Sequence, residues 1–323
     1  MRASRPRIPA PPNSDGDGDG RAGGVMLKAI WFAPPVVHRV AGRDGLLDRA
    51  DVSVDGVLTT SSDEQFDGLV EGRHDFAVTA MDNVIMWNRR PGGGALRIFA
   101  QIEASTNIVL IARPPFTDMA SLAGRKLLVD SPTNGFVVPL RAMLADAGVP
   151  FDACEIVESG GVKERLDRLL AGEGDATLLG PPFSDIARAA GMIQLAEADQ
   201  AFPGYPGQGV VASTRLDRRK RDELSRWLGA IEAARQAARA NVADVARLLE
   251  SQGVPAAAAA ALARAVGPNL VPDRRGVDMI IDQRVRLGLP GSDCGYDDLV
   301  DLSLLAAAPD HPDMTASPKG TLE

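Results

Sequence analysis

The sequence predicts an α/β protein of two lobes, joined by two crossovers around a central cleft. Three observations carry this. Short apolar runs alternate with helix-period segments from residue 27 to residue 112. The alternation recurs from 126 to 195, where three runs end in small polar or backbone-rich loops: Asp130-Ser-Pro-Thr-Asn-Gly, Glu158-Ser-Gly-Gly and Leu179-Gly-Pro-Pro-Phe. After Ser213 only helices follow, so they have no sheet of their own and must cover one built earlier. The expected first lobe is 27–112 plus 208–305 and the second is 113–207, with disordered tails at 1–26 and 306–323.

Residues 27–32 (LKAIWF) read as a short apolar strand, and 36–50 as a helix with a broken end. Val52, Val54 and Val57 alternate with polar residues, which makes 51–58 a second strand. Ser61, Ser62 and Asp63 stand ahead of Phe66, Leu69 and Val70, apolar at i, i+3 and i+4. That is a helix behind an N-cap, ended by Gly72. Residues 75–79 form a buried strand that runs into Ala80, Met81, Asp82 and Asn83. In open α/β sheets ligands bind outside this carboxyl edge. A short helix at 84–90 and strands at 96–100 and 107–112 complete the first block.

Arg113-Pro114-Pro115 marks the change of lobe. Strands then fall at 126–129, 155–157, 175–179 and 193–195, with helices at 137–147, 162–171 and 183–190. Residues 203–209, rich in Gly and Pro, read as the return crossover into a strand at 210–213. Helices are expected at 218–240, 242–252, 255–266, 276–287 and 296–305. Helix N-termini behind the polar loops offer free N–H groups, which suit a carboxylate, sulfonate or phosphate.

Composition narrows the function. The chain has 323 residues, 45% apolar and 24% charged, as in a soluble globular protein. A net charge of -8 argues against nucleic acid as a partner, and 4% aromatics leaves few stacking platforms. Cys154 and Cys294 lack metal-ligand spacing and are expected as reduced thiols. His38, His74 and His311 are scattered, and no HExxH, CxxC or GxSxG occurs. No metal site and no cofactor are expected. The DGDGDG segment lacks the rest of a calcium loop and reads as a disordered tail. Residues 1–24 carry no apolar signal stretch, and no run is long enough to span a membrane. The sequence as it stands therefore points to the cytoplasm, or to the periplasm or cell surface if a leader preceded a different start.

The run EQFDGLVEGRHDFAVTAMDNVIMWN resembles the solute-binding proteins of nitrate/sulfonate/taurine-type ABC transporters, the NMT1/THI5-like group. So do SLAGRKLLVDSPTNGFVVPLRAMLADAGV and GGVKERLDRLLAGEGDATLLGPPF behind it, at fitting spacing. The resemblance covers residues 27–305. It implies a type 2 periplasmic-binding-protein fold, a small organic or anionic ligand held between the lobes, and an ABC permease as partner if the protein is exported. It also implies the ligand-contact positions. In the first lobe these are Phe32, Ala33, Thr59, Ser61, Thr79, Asp82 and Asn83. In the second they are Ser131, Thr133, Asn134, Gly135, Phe136, Gly160, Gly161, Pro181 and Phe183, with Tyr205 near the hinge. Asp82 has a second reading, as the cap of the following helix.

The chain departs from the family pattern in its missing export signal and in lacking the cysteine-rich motif of the pyrimidine-synthase branch. The second expectation is therefore a cytoplasmic enzyme on the same fold, a cofactor-independent decarboxylase or lyase acting on a small carboxylic acid. Its acid and base would come from Asp82, Glu103 and His38, with Glu158 as a further carboxylate and Lys163 to stabilise negative charge.

Overall fold

The computed structural model describes residues 25–132, 135–291 and 293–306. It contains two mixed five-stranded sheets with helices on both faces of each, the expected two-lobed α/β class.

The first sheet is built from β1 (Leu27–Trp31), β2 (Val54–Leu58), β3 (Phe76–Ala80) and β4 (Leu96–Gln101), joined by β10 (Gln208–Ser213), in the order β2-β1-β3-β10-β4. Between these strands lie α1 (Val36–Arg43), α2 (Leu46–Arg49), α3 (Ser62–Val70) and α4 (Asn83–Trp87). The second sheet holds β5 (Val109–Ala112), β6 (Lys126–Val129), β7 (Glu155–Glu158), β8 (Ala176–Leu179) and β9 (Ile193–Glu197), in the order β7-β6-β8-β5-β9. Its helices are α5 (Val137–Asp146), α6 (Val162–Leu170), α7 (Phe183–Ala189) and α8 (Ala198–Ala201). The remaining helices are α9 (Arg218–Ala240), α10 (Val242–Ser251), α11 (Ala256–Arg264), α12 (Arg274–Arg286), α13 (Tyr296–Leu299) and α14 (Ser303–Ala306).

The two sheets share a plan. Each has three parallel strands and then an antiparallel strand that has just crossed from the other lobe, β10 in the first and β5 in the second. The strand at 107–112, expected in the first lobe, therefore belongs to the second sheet. The crossover lies before it, at 102–108, and the Arg113-Pro114-Pro115 punctuation falls one strand too late. The expected helix at 296–305 is likewise broken: Val300 bridges Ile98 in parallel, which splits α13 from α14.

A repeat with an offset of 100 residues underlies this plan. Asp75 and Asp175 occupy equivalent positions before β3 and β8. The Asp75 carboxylate accepts from the Lys28 amide at 2.7 Å, and that of Asp175 from the Lys126 amide at 2.9 Å. Gln65 in α3 donates to the Val78 carbonyl at 3.0 Å, and Arg165 in α6 to the Leu178 carbonyl at 3.4 Å. Each side chain clips a helix to the strand that follows it.

Strand alternation accounts for the core. Ala29, Trp31, Phe76, Val78, Val210 and Ala212 face α9 and its Leu224, Trp227 and Ile231. Ile30, Ala77 and Val211 face the other way, onto Val84, Ile85 and Ile280. Both faces of these strands are covered, so they read as continuous apolar runs. The helices after Ser213 thus bury the first sheet, as their lack of strands required.

The crossovers are stitched to each other. The amides of Ile102 and Thr106 donate to the carbonyls of Gln208 (2.8 Å) and Tyr205 (3.1 Å). Gly207 permits this approach: a Cβ there would lie 2.5 Å from Glu103 Cβ and 2.7 Å from the Ser105 carbonyl oxygen. Among the described residues no helix is long and apolar enough to cross a membrane. The tails expected at both ends fall largely outside the described residues.

Candidate functional site

A cleft of about 750 Å³ opens between the lobes. Its walls come from the loops after β1, β2 and β3, from the first crossover, and from the loops before α5, α6 and α7. These lie at the carboxyl ends of the parallel strands, the edge where ligands bind in open α/β sheets. The cavity continues past the crossover to α10 and α11, where Leu249, Val254, Leu262 and Val266 line it.

The structure brings together Phe32, Thr59, Thr79, Asn83, Phe136, Gly161, Pro181 and Phe183 around this space, together with Glu103. Local structure positions several of them. Thr59 opens the loop between β2 and α3, its backbone amide bonded to the Trp31 carbonyl at 3.0 Å and its hydroxyl donating to the Glu64 carboxylate. Asn83 is buried and spans the lobes. Its amide nitrogen donates to Thr79 Oγ1 at 2.8 Å, and its Oδ1 accepts from the Gly135 amide at 2.7 Å. A Cβ on Gly161 would lie 2.9 Å from Thr60 Cβ. The lobes are in contact at both points.

Ser61, Asp82, Ser131, Gly135, Gly160, Tyr205 and His38 do not line the cleft. Ser61 caps α3, accepting from the Glu64 amide. Asp82 forms a two-pronged ion pair with Arg284 of α12, with Arg284 Nε donating at 2.6 Å and Nη2 to the second oxygen. Both residues are 2% exposed. Asp82 caps no helix through its side chain, so neither of its expected roles matches its placement. Tyr205 packs its ring into the same region, and burial pushes its hydroxyl well above the usual tyrosine range. Its backbone carbonyl, not its side chain, serves the hinge. Thr133 and Asn134 lie outside the described residues.

His38 is half-buried and packs against the core. Its ring sits 5.1 Å from that of Trp31 and 6.2 Å from that of Trp227, and Nδ1 accepts from Trp227 Nε1 at 3.3 Å. Burial, with help from Arg39, brings its pKa down to about 4 and keeps it neutral. Glu158 is exposed at the end of β7, and Lys163 pairs with Asp167 at 2.6 Å. Of the three expected catalytic groups only Glu103 reaches the cleft. It accepts from the Gln208 amide at 3.3 Å and from Gln208 Nε2 at 3.2 Å, and burial raises its carboxyl above the usual range. An acid and a base facing one another are not assembled from these residues.

The structure adds lining residues that the sequence reading passed over: Glu64, Asn107, Asp130, Glu164, Arg165 and Gln208. Glu64 and Glu164 were findable from the 100-residue repeat, as the third residue of α3 and of α6. Arg165 is buried, donates to the Gly160 carbonyl at 2.7 Å and lies 4.0 Å from Asp130. Among the described residues no group of three or more His, Cys, Asp or Glu side chains is arranged to hold a metal ion.

This architecture is shared with solved binding proteins. The chain is similar to the ligand-binding component of an ABC-type import system from Staphylococcus aureus with zinc bound: TM-score 0.72, 14% identity, 88% of this chain and 98% of that one. It is similar to the alkanesulfonate-binding protein SsuA from Xanthomonas axonopodis pv. citri bound to MOPS: TM-score 0.69, 14% identity, 83% and 96% coverage. The periplasmic nitrate-binding protein NrtA from Synechocystis PCC 6803 gives a TM-score of 0.69 at 14% identity, covering 88% of each chain. At these identities the likeness is one of fold, the type 2 periplasmic-binding-protein fold. No curated protein matches the sequence itself. A family model does, described as ABC transporter, phosphonate, periplasmic substrate-binding protein, over residues 43–263. This span is more than half of the chain, and the chain belongs to that family of ABC-transporter substrate-binding proteins.

Proposed function

We propose that this protein captures an organic solute in the cleft between its lobes and presents it to an ABC permease. One observation carries the reading: a cavity of about 750 Å³, walled by loops from both lobes that touch each other across it. Its size falls in the range of about 300–1,000 Å³ that encloses drug-sized molecules, which favours an organic ligand over a bare inorganic anion. Within the wider family, the resemblance of the quoted sequence runs supports a reading as the nitrate/sulfonate/taurine type, the NMT1/THI5-like group. The reading goes with a site of action outside the cytoplasmic membrane, as the family's description has it. Phe32, Thr59, Thr79, Asn83, Phe136, Gly161, Pro181 and Phe183 are the contacts assigned to the ligand.

The enzyme reading is the weaker one, because Asp82 and His38 are committed elsewhere. A thermal-shift screen against small organic solutes, followed by mass spectrometry of every hit, separates the two. A ligand at 100 times its Kd stabilises a binding protein by about 2.7 kcal/mol. A stabilising solute recovered unchanged is the expected result. A solute consumed by the protein alone would overturn the binding reading.

A further inference from the structure

We infer that the cleft selects an organic ammonium ion with an apolar body rather than an oxyanion, and that Glu103 is the residue that sets this preference. The inference rests on the binding reading above and names the ligand class of the same site.

The first turns of α3 and α6 face each other across the cleft, where Thr60 meets Gly161. Such helix ends hold anions through free N–H groups and the positive end of the helix dipole. Here each carries its own carboxylate at the third helical position, Glu64 in one lobe and Glu164 in the other. Both line the cleft. Glu64 accepts from the Thr59 hydroxyl, and Glu164 Oε2 lies 2.7 Å from the place of a Cβ on Gly161. An incoming oxyanion would meet like charge at both helix ends.

Glu103 adds a third carboxylate, on the crossover between the lobes. Its hydrogen-bond donors are the two nitrogens of Gln208, both neutral. None of Glu64, Glu103 and Glu164 has a cation within ion-pair distance among the described residues. Two cations of the lining are engaged outside it: Arg39 donates to Gln252 Oε1 at 2.7 Å, and Lys163 pairs with Asp167. Arg165 stays within the lining, where it donates to the Gly160 carbonyl and is balanced by Asp130 at 4.0 Å, with its Nε left without a hydrogen-bond partner among the described residues. A carboxylate facing a mostly apolar cavity without a counter-charge is costly unless a ligand supplies one.

Much of the remaining lining is apolar. Glu103 forms an isolated bridge with Val266, at the mouth of the gallery that runs to Leu249 and Leu262. Phe32, Phe136 and Phe183 line the cavity as well. An alkyl or aryl body extends along these walls, and a ring face adds to the attraction of an ammonium group.

The test uses the full chain at pH 7 and four probes that differ only in their heads: hexylamine, hexane-1-sulfonate, hexylphosphonate and hexan-1-ol, measured by titration calorimetry. Hexylamine is expected to bind at least tenfold more tightly than either anion. Lengthening the chain to octylamine should gain about fourfold per methylene. Glu103→Gln should remove most of the tenfold preference and change hexanol binding by less than twofold. The paired change Glu64→Gln with Glu164→Gln, on exposed first turns, should raise sulfonate affinity severalfold, and it keeps the test in force if Glu103→Gln does not fold. Anion binding equal to or tighter than amine binding would overturn the inference and leave the binding reading standing. So would an amine preference that survives both variants. If none of the four binds while an unrelated solute stabilises the protein, the inference alone falls. If nothing binds in either experiment, both fall.

Discussion

Asp82→Ala should unfold the protein far more readily than it weakens ligand binding. Asp82 and Arg284 are each 2% exposed and make two parallel hydrogen bonds, with Arg284 Nη1 also donating to the Pro290 carbonyl at 2.9 Å. Removing the carboxylate leaves a buried guanidinium without a counter-charge, which costs about 3–5 kcal/mol. For a cooperative chain of 323 residues that is a loss of roughly 4–7 °C in Tm. The double change Asp82→Ala with Arg284→Met replaces the pair by apolar atoms and should recover most of the loss, because the stranded charge is gone. Urea unfolding of the wild type, both single variants and the double gives the coupling. A stability within about 0.5 kcal/mol of wild type for Asp82→Ala, together with lost ligand binding, would refute this placement and return Asp82 to the ligand site.

Other consequences follow from the same geometry. His38 titrates near 6.5 when unfolded and at about 4 in the fold, so its contribution is complete above pH 6.5 and is lost as pH falls to 4. Comparing unfolding of wild type and His38→Phe at pH 7 and pH 4.5 should show a pH-dependent loss of up to about 3 kcal/mol that only the wild type suffers. Asn83→Ala removes the bond to the Gly135 amide that joins the lobes, and a loss of about 1–2 kcal/mol from the closed form should raise the radius of gyration of the unliganded protein in X-ray scattering. Gly207→Ala places a methyl group against Glu103 Cβ and the Ser105 carbonyl, and overpacking of about 1–3 kcal/mol should appear as a lowered Tm.

The sheet strands were legible because their apolar runs are short, continuous and bounded by Gly, Pro and Asp, as in Asp75-Phe-Ala-Val-Thr and Asp175-Ala-Thr-Leu-Leu. Strand membership was less so. β5 looks like any other strand locally, and only its antiparallel pairing with β8 and β9 puts it in the second lobe. The break at Val300 has the same origin, since a bridge to Ile98 overrides a helical pattern. At the candidate site, Phe32, Thr59, Asn83, Phe136 and Gly161 were positions that the family resemblance implied, and they line the cleft because loops after parallel strands converge on one edge. His38 and Asp82 were misjudged because proximity to a strand end in sequence does not say which way a side chain points. His38 turns toward the indoles of Trp31 and Trp227, and Asp82 finds a guanidinium two hundred residues later in the chain. Glu64 and Glu164 were hidden by looking ordinary, as acidic residues in a first helical turn are common. Their significance comes from the repeat that sets them face to face.

The most direct test is hydrogen–deuterium exchange of the full chain with and without a saturating, stabilising solute. Slower exchange is expected together in 59–64 of the first lobe, 160–165 of the second and 103–108 of the crossover, with α9 unchanged. Protection confined to one lobe, or absent from all three segments despite a raised Tm, would contradict a ligand site between the lobes.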